Sequence, residues 1–367
     1  CLLQLGRYEE VLERFKEVPL DDPEVAEMAS VNLLFALSHL KHFERVLEEY
    51  KKLGLASGHE IYPTVMSHAW DAAIGLGSDP VLEEVGLAIV SSRELLFNQN
   101  IPIGQVYEKL SGVAERKNDE SLKEKYQVEK TSWENLFQGV KALGEGRYEA
   151  AVASYGKVSP QSSHYAQSIA DAIGALVNLD QEAEAIELAK HMPKESDLYP
   201  VALANVQAAL NNLKRYDEAL DAFSKIPESV HFYPIVLENA ILSARLATQY
   251  EKMYEIAKKS YELTEEDGPL YFMGLATYYM GRYQEVIDLL EEESDEEDQV
   301  GCGLCVDKER ANALYLIGLC YKLLGNLAQA EKYFNQVREM ANSGSSAMIQ
   351  QADGTREIVS SGYVRAY

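Results

Sequence analysis

The chain has 367 residues and a formal net charge of −25, from 59 acidic against 34 basic side chains. It therefore lacks the positive field that displaces counterions from phosphates, which argues against nucleic acid and anionic membrane as partners. Apolar residues make up 47%, yet no apolar run approaches the length of a membrane span and no charged-then-apolar leader opens the chain, which argues against direct membrane insertion. Four cysteines imply no disulfide framework.

In chain order, the first eighteen residues, CLLQLGRYEEVLERFKEV, align without a gap on Cys320 to Val337, with Leu5-Gly6 on Leu324-Gly325 and Phe15 on Phe334. Residue 1 then falls midway through the first helix of a repeat, and the natural chain is expected to extend upstream. Pro23 to Leu53 reads as a helix pair with the stripe Leu34, Leu37, Leu40, Phe43, Val46 and Tyr50. Lys41 stands where the first unit has Gly6, so this turn is expected to close without glycine. Tyr62 to Leu96 reads as a looser pair, with Ala73, Leu76, Val85 and Ile89 inside and Ser78-Asp79-Pro80 as turn and helix start. From Ile101 to Lys130 the period slips. Helical patterns surround Val106 to Ala114 and Leu122 to Tyr126, but Leu122 to Ala151 is a step of only 29. This segment reads as a degenerate repeat or a pair of longer helices.

From Trp133 the repeat is regular. Ala151, Ala185, Ala219 and Met253 stand 34 apart, as do Tyr165, Tyr199 and Tyr233, and Val158, Met192 and Ile226. Such a period marks an array in which each unit is too small to bury its apolar face alone and must stack on its neighbours. Pro160, Pro193 and Pro227 end one helix and set the angle into the next. The copy from Ala311 to Val337 shows the unit most plainly. Leu314, Ile317, Gly318 and Tyr321 share one helical face, Leu324-Gly325 is a stop, and Ala330, Phe334 and Val337 stripe a second helix. Gly318 and Ala330 are small because antiparallel helices approach closely only where side chains are short, and Phe334 fills the space beside them.

These residues resemble the tetratricopeptide repeat family. Its pattern of aromatic, Leu-Gly, Tyr, then Ala and a second aromatic is matched by Leu314 (in place of the opening Trp), Ile317-Gly318, Tyr321, Ala330 and Phe334. A second close copy runs from Leu270 to Leu290, with Met273-Gly274, Val286 and Leu290. The resemblance implies an all-α, right-handed superhelical solenoid of antiparallel helix pairs, here with about nine or ten repeats. The organisation read from the sequence is 1–100 as N-terminal repeats, 101–131 as an irregular helical pair, 132–340 as regular repeats, and 341–367 as a tail.

The step from Val286 to Ala330 is 44, so about ten residues are inserted after Leu290. This insertion, 291–308, is acidic in seven of the eight residues from Glu291 to Asp298, which self-repel and are expected to stay solvated. Its sharper reading is a docking point for a basic partner, and Ser294 resembles a site for an acid-directed kinase. Cys302 and Cys305 have the C-x-x-C spacing that grips zinc or closes a disulfide. No second pair or nearby histidine completes a metal site within the chain, so an incidental loop pair is expected, with a disulfide or a metal shared between copies as the alternatives. Cys320, beside small residues, reads as a buried thiol, consistent with a reducing compartment. The tail from Ala341 shows no capping helix and is expected to pack back on the last repeats or on a second copy of the chain, making a homo-oligomer.

No nucleophile motif, phosphate loop or H-E-x-x-H is present, and His39 with His42 reads as a surface or turn feature rather than a metal site. No cofactor and no catalysis are expected. In the tetratricopeptide family the first helices line a concave groove that holds peptides or partner helices. The faces opposite the packing stripe bring out Asp171, Asn178, Asn205, Asn212, Glu238, Asn239, Arg245, Tyr271, Tyr278 and Lys322 as groove residues. Asn205 and Asn239, one period apart, read as amide rungs for an extended backbone. The basic clamp with which one subfamily grips chaperone C-termini is missing, since Ala170, Gly174 and Ile235 stand at its places. The sequence therefore reads as a scaffold binding a protein or peptide partner. The alternatives are a peptide-gated regulator, or the recruiting arm of an enzyme whose catalytic part lies upstream. A cytoplasmic location is the default, with a periplasmic or envelope-associated one left open by the linker-like stretch at 159–165.

Overall fold

The computed structural model describes residues 2–19, 22–265, 267–294 and 303–342. Among them the regular structure is helical throughout, and no strand occurs. The chain divides into two compact units, Cys1–Glu145 with Ala153–Tyr165, and Gly146–Val152 with Ala166–Tyr367.

The first unit holds α1 (Tyr8–Phe15), α2 (Pro23–His39), α3 (Phe43–Leu53), α4 (Tyr62–Leu76), α5 (Asp79–Ser91), a short 3-10 turn at Arg93–Leu95, α6 (Ile103–Arg116) and α7 (Glu120–Gly144). After α8 (Tyr148–Tyr155), the remaining helices are α9 (Tyr165–Asn178), α10 (Glu182–Ala189), α11 (Tyr199–Asn212), α12 (Tyr216–Phe223), α13 (Tyr233–Leu246) and α14 (Tyr250–Thr264). They are followed by α15 (Asp267–Tyr279), α16 (Tyr283–Ser294), α17 (Gly303–Leu323) and α18 (Leu327–Asn342). Within each unit the order of contact is that of stacked pairs. In the first, α2 touches both its partner α3 and the next first helix, α4. In the second, α11 touches α12 and α13, and α15 touches α16 and α17. The core of the first unit is built from such stripes, including Leu34, Leu37, Val46, Met66, Trp70, Val85, Ile89 and Leu110.

One turn type recurs between the first and second helices of the pairs. Gly146, Asp180, Lys214 and Thr248, 34 residues apart, all carry a left-handed backbone, with φ of 72, 55, 59 and 58°. The amide after each non-glycine member bonds back to a carbonyl five residues earlier: Gln181 to Leu176 at 2.9 Å, Arg215 to Leu210 at 2.8 Å and Gln249 to Ala244 at 2.8 Å. This 6→1 bond satisfies a carbonyl that the ending helix leaves bare, and its geometry requires the left-handed residue. Lys41 behaves as the sequence requires, with φ 59° and the same bond from His42 to Leu37.

In several pairs the facing positions hold one large and one small side chain rather than fixed identities. Gly274 lies so close to Leu290 that a Cβ on it would stand 2.8 Å from Cδ1, and one on Gly318 would stand 2.6 Å from Cε1 of Phe334. At the corresponding places of two other repeats the sizes are exchanged, with Ile173 and Ile241 on the first helix and Ala189 and Ala257 on the second. Interiors are close-packed, so one large and one small side chain fill the space in either arrangement.

The slipped period has a specific cause. Residues 123–138 contain neither Gly nor Pro, and α7 runs unbroken for 25 residues. Asp119 caps its start by accepting from the Leu122 amide at 2.9 Å. Its first half lies against α6, with Lys123 bonded to Glu115 and Lys130 to Glu108, while Gly139 near its end meets Tyr155 as a first helix does. The loop that elsewhere separates successive repeats is therefore absent, and the expected boundary at 131/132 falls inside one helix. The acidic insertion also differs from expectation. α16 continues to Ser294 and α17 already begins at Gly303, so residues 303–308 belong to a helix. Glu291 is not simply solvated, because its Oε1 accepts from the hydroxyls of Tyr321 at 2.8 Å and Tyr333 at 2.6 Å. Residues 295–302, with Cys302 of the C-x-x-C pair, and the tail from 343 onward lie outside the described residues.

Candidate interaction face

The predicted groove residues separate into two groups. Asp171, Asn205 and Asn239 occupy one repeat position, 34 apart, and all three are buried, at 3, 1 and 5% exposure. The two asparagines are thus interior groups rather than rungs presented to a ligand, which corrects the expectation for Asn205 and Asn239. A first helix can be covered on nearly all sides, as α9 shows by burying every residue from Gln167 to Val177. Asp171 accepts from Gln167 Nε2 at 2.9 Å. Around Asn239 the polar groups join α11 to α13. Asn211 Nδ2 donates to the Asn239 carbonyl at 3.1 Å, Ser243 Oγ donates to Asn211 Oδ1 at 2.6 Å, and Gln207 Nε2 donates to the Val236 carbonyl at 3.2 Å. Asn211 and Gln207 were not singled out from the sequence, because a polar residue on a first helix looks the same there whether it faces solvent or a neighbouring helix.

Asn178, half-buried, and Asn212, exposed, bond within the scaffold. Asn178 Nδ2 bonds the Gly174 carbonyl at 2.7 Å, and Asn212 Nδ2 reaches Glu182 Oε1 on α10 at 3.1 Å.

The second group does reach the surface. On α13 the outward stripe is Ile235, Glu238, Leu242 and Arg245, exposed or half-buried, at the three- and four-residue spacing of one helix face. One period earlier, on α11, its places are taken by Val201, Ala204, Ala208 and Asn211, all buried. On α15 the places of Glu238 and Arg245 are held by Tyr271 and Tyr278, both half-buried, and on α17 the place of Arg245 is held by Lys322, which is exposed. α14 contacts both α13 and α15, and α15 contacts α17, so these side chains belong to successive first helices. Tyr278 is set by its neighbours, with ring centroids 5.6 Å from both Tyr279 and Tyr283, while Tyr279 stacks on Tyr250 at 4.7 Å. Burial raises the Tyr278 phenol above the usual range, so it stays a neutral donor and acceptor. These three helices therefore carry an acid, two bases and two phenols that are exposed or half-buried, with Ile235 and Leu242 beside the acid and the guanidinium on α13.

A second polar constellation lies in the first unit. The Glu129 carboxylate, 6% exposed, accepts from Ser162 Oγ at 2.6 Å and from the Ser163 amide and hydroxyl at 3.0 Å each. The Tyr107 hydroxyl lies 2.9 Å from His164 Nε2. The residue types suggest a hydrolytic triad, but the Ser162 hydroxyl is spent on Glu129 rather than on the imidazole, and Tyr107, Glu129, Ser162 and His164 are all buried. Among the described residues no group of three or more His, Cys, Asp or Glu side chains is placed to hold a metal, and no helix is long and apolar enough to cross a membrane. His39 instead stacks on Phe35 at 4.2 Å and lies 4.6 Å from the Tyr8 ring.

By its period, its helix pairs and the packing of small against large side chains across each pair, the chain is a tetratricopeptide-like helix-pair protein. No protein-family model matches it, and comparison with curated proteins finds no match. Among solved structures it is similar to PilF of Pseudomonas aeruginosa, at 18% identity over 62% of this chain and 99% of that one, with a TM-score of 0.40. It is also similar to a tetratricopeptide repeat protein of Parabacteroides merdae, at 13% identity over 76% and 99% of the two chains, with a TM-score of 0.34. A chain of the APC/C Cut9-Hcn1 hetero-tetramer is similar at 13% identity over 90% and 63%, with a TM-score of 0.38.

Proposed function

We propose that this chain is a non-catalytic scaffold, and that the outward face of α13, α15 and α17 holds a peptide or helix of a protein partner. The observation that carries this reading is the change along the first helices of the second unit. The stripe is small and buried on α11, then becomes Glu238, Arg245, Tyr271, Tyr278 and Lys322, half-buried or exposed. Large amphipathic side chains held by packed neighbours suit recognition, because phenols and guanidinium groups bring contact area and hydrogen bonds at low cost in ordering. Such a face can bind either an extended strand or one stripe of an amphipathic helix.

A random peptide library panned on the full chain, with recovered peptides measured by fluorescence anisotropy, tests this. Arg245→Glu combined with Tyr278→Ala is expected to weaken the recovered peptides at least about tenfold, or about 1.4 kcal/mol, with the helical circular dichroism unchanged. Lys190→Glu, following α10, is the control. No enrichment, or affinities unaffected by the double substitution, would overturn the assignment.

A further inference from the structure

We propose that Tyr107, Glu129 and His164 form a pH-responsive latch, which fastens the loop of residues 159–164 to α6 and α7 of the first unit at neutral pH and releases it on acidification. The loop is held from two helices. Glu129 on α7 takes up the Ser162 hydroxyl and both donors of Ser163. Tyr107 on α6 holds His164 through its hydroxyl at 2.9 Å, with the two rings edge to face at 6.1 Å. His164 is 4% exposed, Tyr107 2% and Glu129 6%, so the contact is sealed from water.

An imidazole is not needed there for packing. The same position in the next two loops, one and two periods on, is filled by Leu198 and Phe232, both buried and apolar. His164 thus places a titratable group where the repeat elsewhere uses a hydrophobic plug. The groups facing it are Tyr107 from α6 and Glu129 from α7, whose Oε2 lies 3.8 Å from Nε2, together with Ser162 and Ser163 of its own loop.

In the uncharged ring with its proton on Nδ1, Nε2 accepts from the phenol. A proton on that nitrogen ends its role as acceptor of the phenol proton, so the hydroxyl must turn to accept instead, and it adds a charge to a buried site. Glu129 offsets part of this cost, but its oxygens already accept from the two serines. Burial accordingly holds the imidazole below its ordinary value of 6.5, against the upward pull of Glu129. The folded state then binds fewer protons than the unfolded chain. The stabilisation is fully present above about 6.5 and is lost as the pH falls below it towards the depressed folded-state value.

Amide hydrogen exchange of the full chain between pH 7.5 and 5, corrected for intrinsic rates, reads the latch directly. Opening of residues 159–165 is expected to rise by up to about tenfold per pH unit once the pH is below about 6.5, while α11 and α13 keep their protection. His164→Leu, which copies the equivalent Leu198, is expected to abolish that rise. As a measurement that needs no variant, the His164 ring signal is expected to titrate below the ordinary imidazole value. A ring titrating at or above it, or a His164→Leu protein that opens with the same acid dependence, would overturn the proposal.

Discussion

Adding one methyl group to Gly274 tests the packing rule of the array. An alanine Cβ there would meet Leu290 at 2.8 Å from Cδ1, 3.1 Å from Cγ and 3.2 Å from Cδ2. Leu290 is 3% exposed and on α16, so it has little room to retreat. Overpacking of this kind costs about 1–3 kcal/mol, while replacing glycine inside a helix returns about 1 kcal/mol. Gly274→Ala should therefore destabilise by up to about 2 kcal/mol in spite of its better helix propensity. Leu290→Ala alone leaves a cavity and should cost about 2–4 kcal/mol. In that background the new methyl group meets no obstacle and fills part of the space, so Gly274→Ala should change sign and stabilise by about 1 kcal/mol. The chain already contains the exchanged arrangement in Ile241 with Ala257, buried at 2 and 0% exposure. A four-member cycle measured by urea denaturation supplies the coupling, and exchange protection of the α15 and α16 amides localises it, because arrays do not always unfold as one block. Effects of the two substitutions that add within about 0.5 kcal/mol would refute complementary packing as the reason for these glycines.

Further outcomes follow from the turns, the buried acid and the buried thiol. Thr248 is β-branched with φ 58°, so Thr248→Gly should raise stability by about 0.5–1 kcal/mol, visible as a higher urea midpoint. Glu129→Leu leaves the hydroxyls of Ser162 and Ser163 and one amide without their acceptor; it should cost about 2–4 kcal/mol in chemical denaturation, and Glu129→Gln less. The Cys320 thiol is fully buried, which pushes its pKa up to about 12. Iodoacetamide at pH 8 should leave it unlabelled in the native chain and label it in urea, as peptide mass spectrometry will show.

The helix pairs were legible in the sequence because their signals are local. The apolar stripe from Pro23 to Leu53 spells out one pair, α2 and α3, and Lys41 takes the left-handed turn that its place in the repeat requires. A 34-residue period, a small residue where helices touch and a left-handed turn each leave a mark on the residues that carry them. The fused helix α7 was half legible, as a missing loop seen only in the shortened step. What tertiary structure alone decided is which polar side chains face outward. Asn205, Asn239, Asn211 and Gln207 are buried in the second unit. Glu238, Arg245 and Tyr278, drawn from the same helical pattern, remain at the surface. Periodicity places a residue on a face of its own helix, but whether another helix covers that face depends on the stack, and the bonds joining residues 28 to 34 positions apart form only once it is assembled.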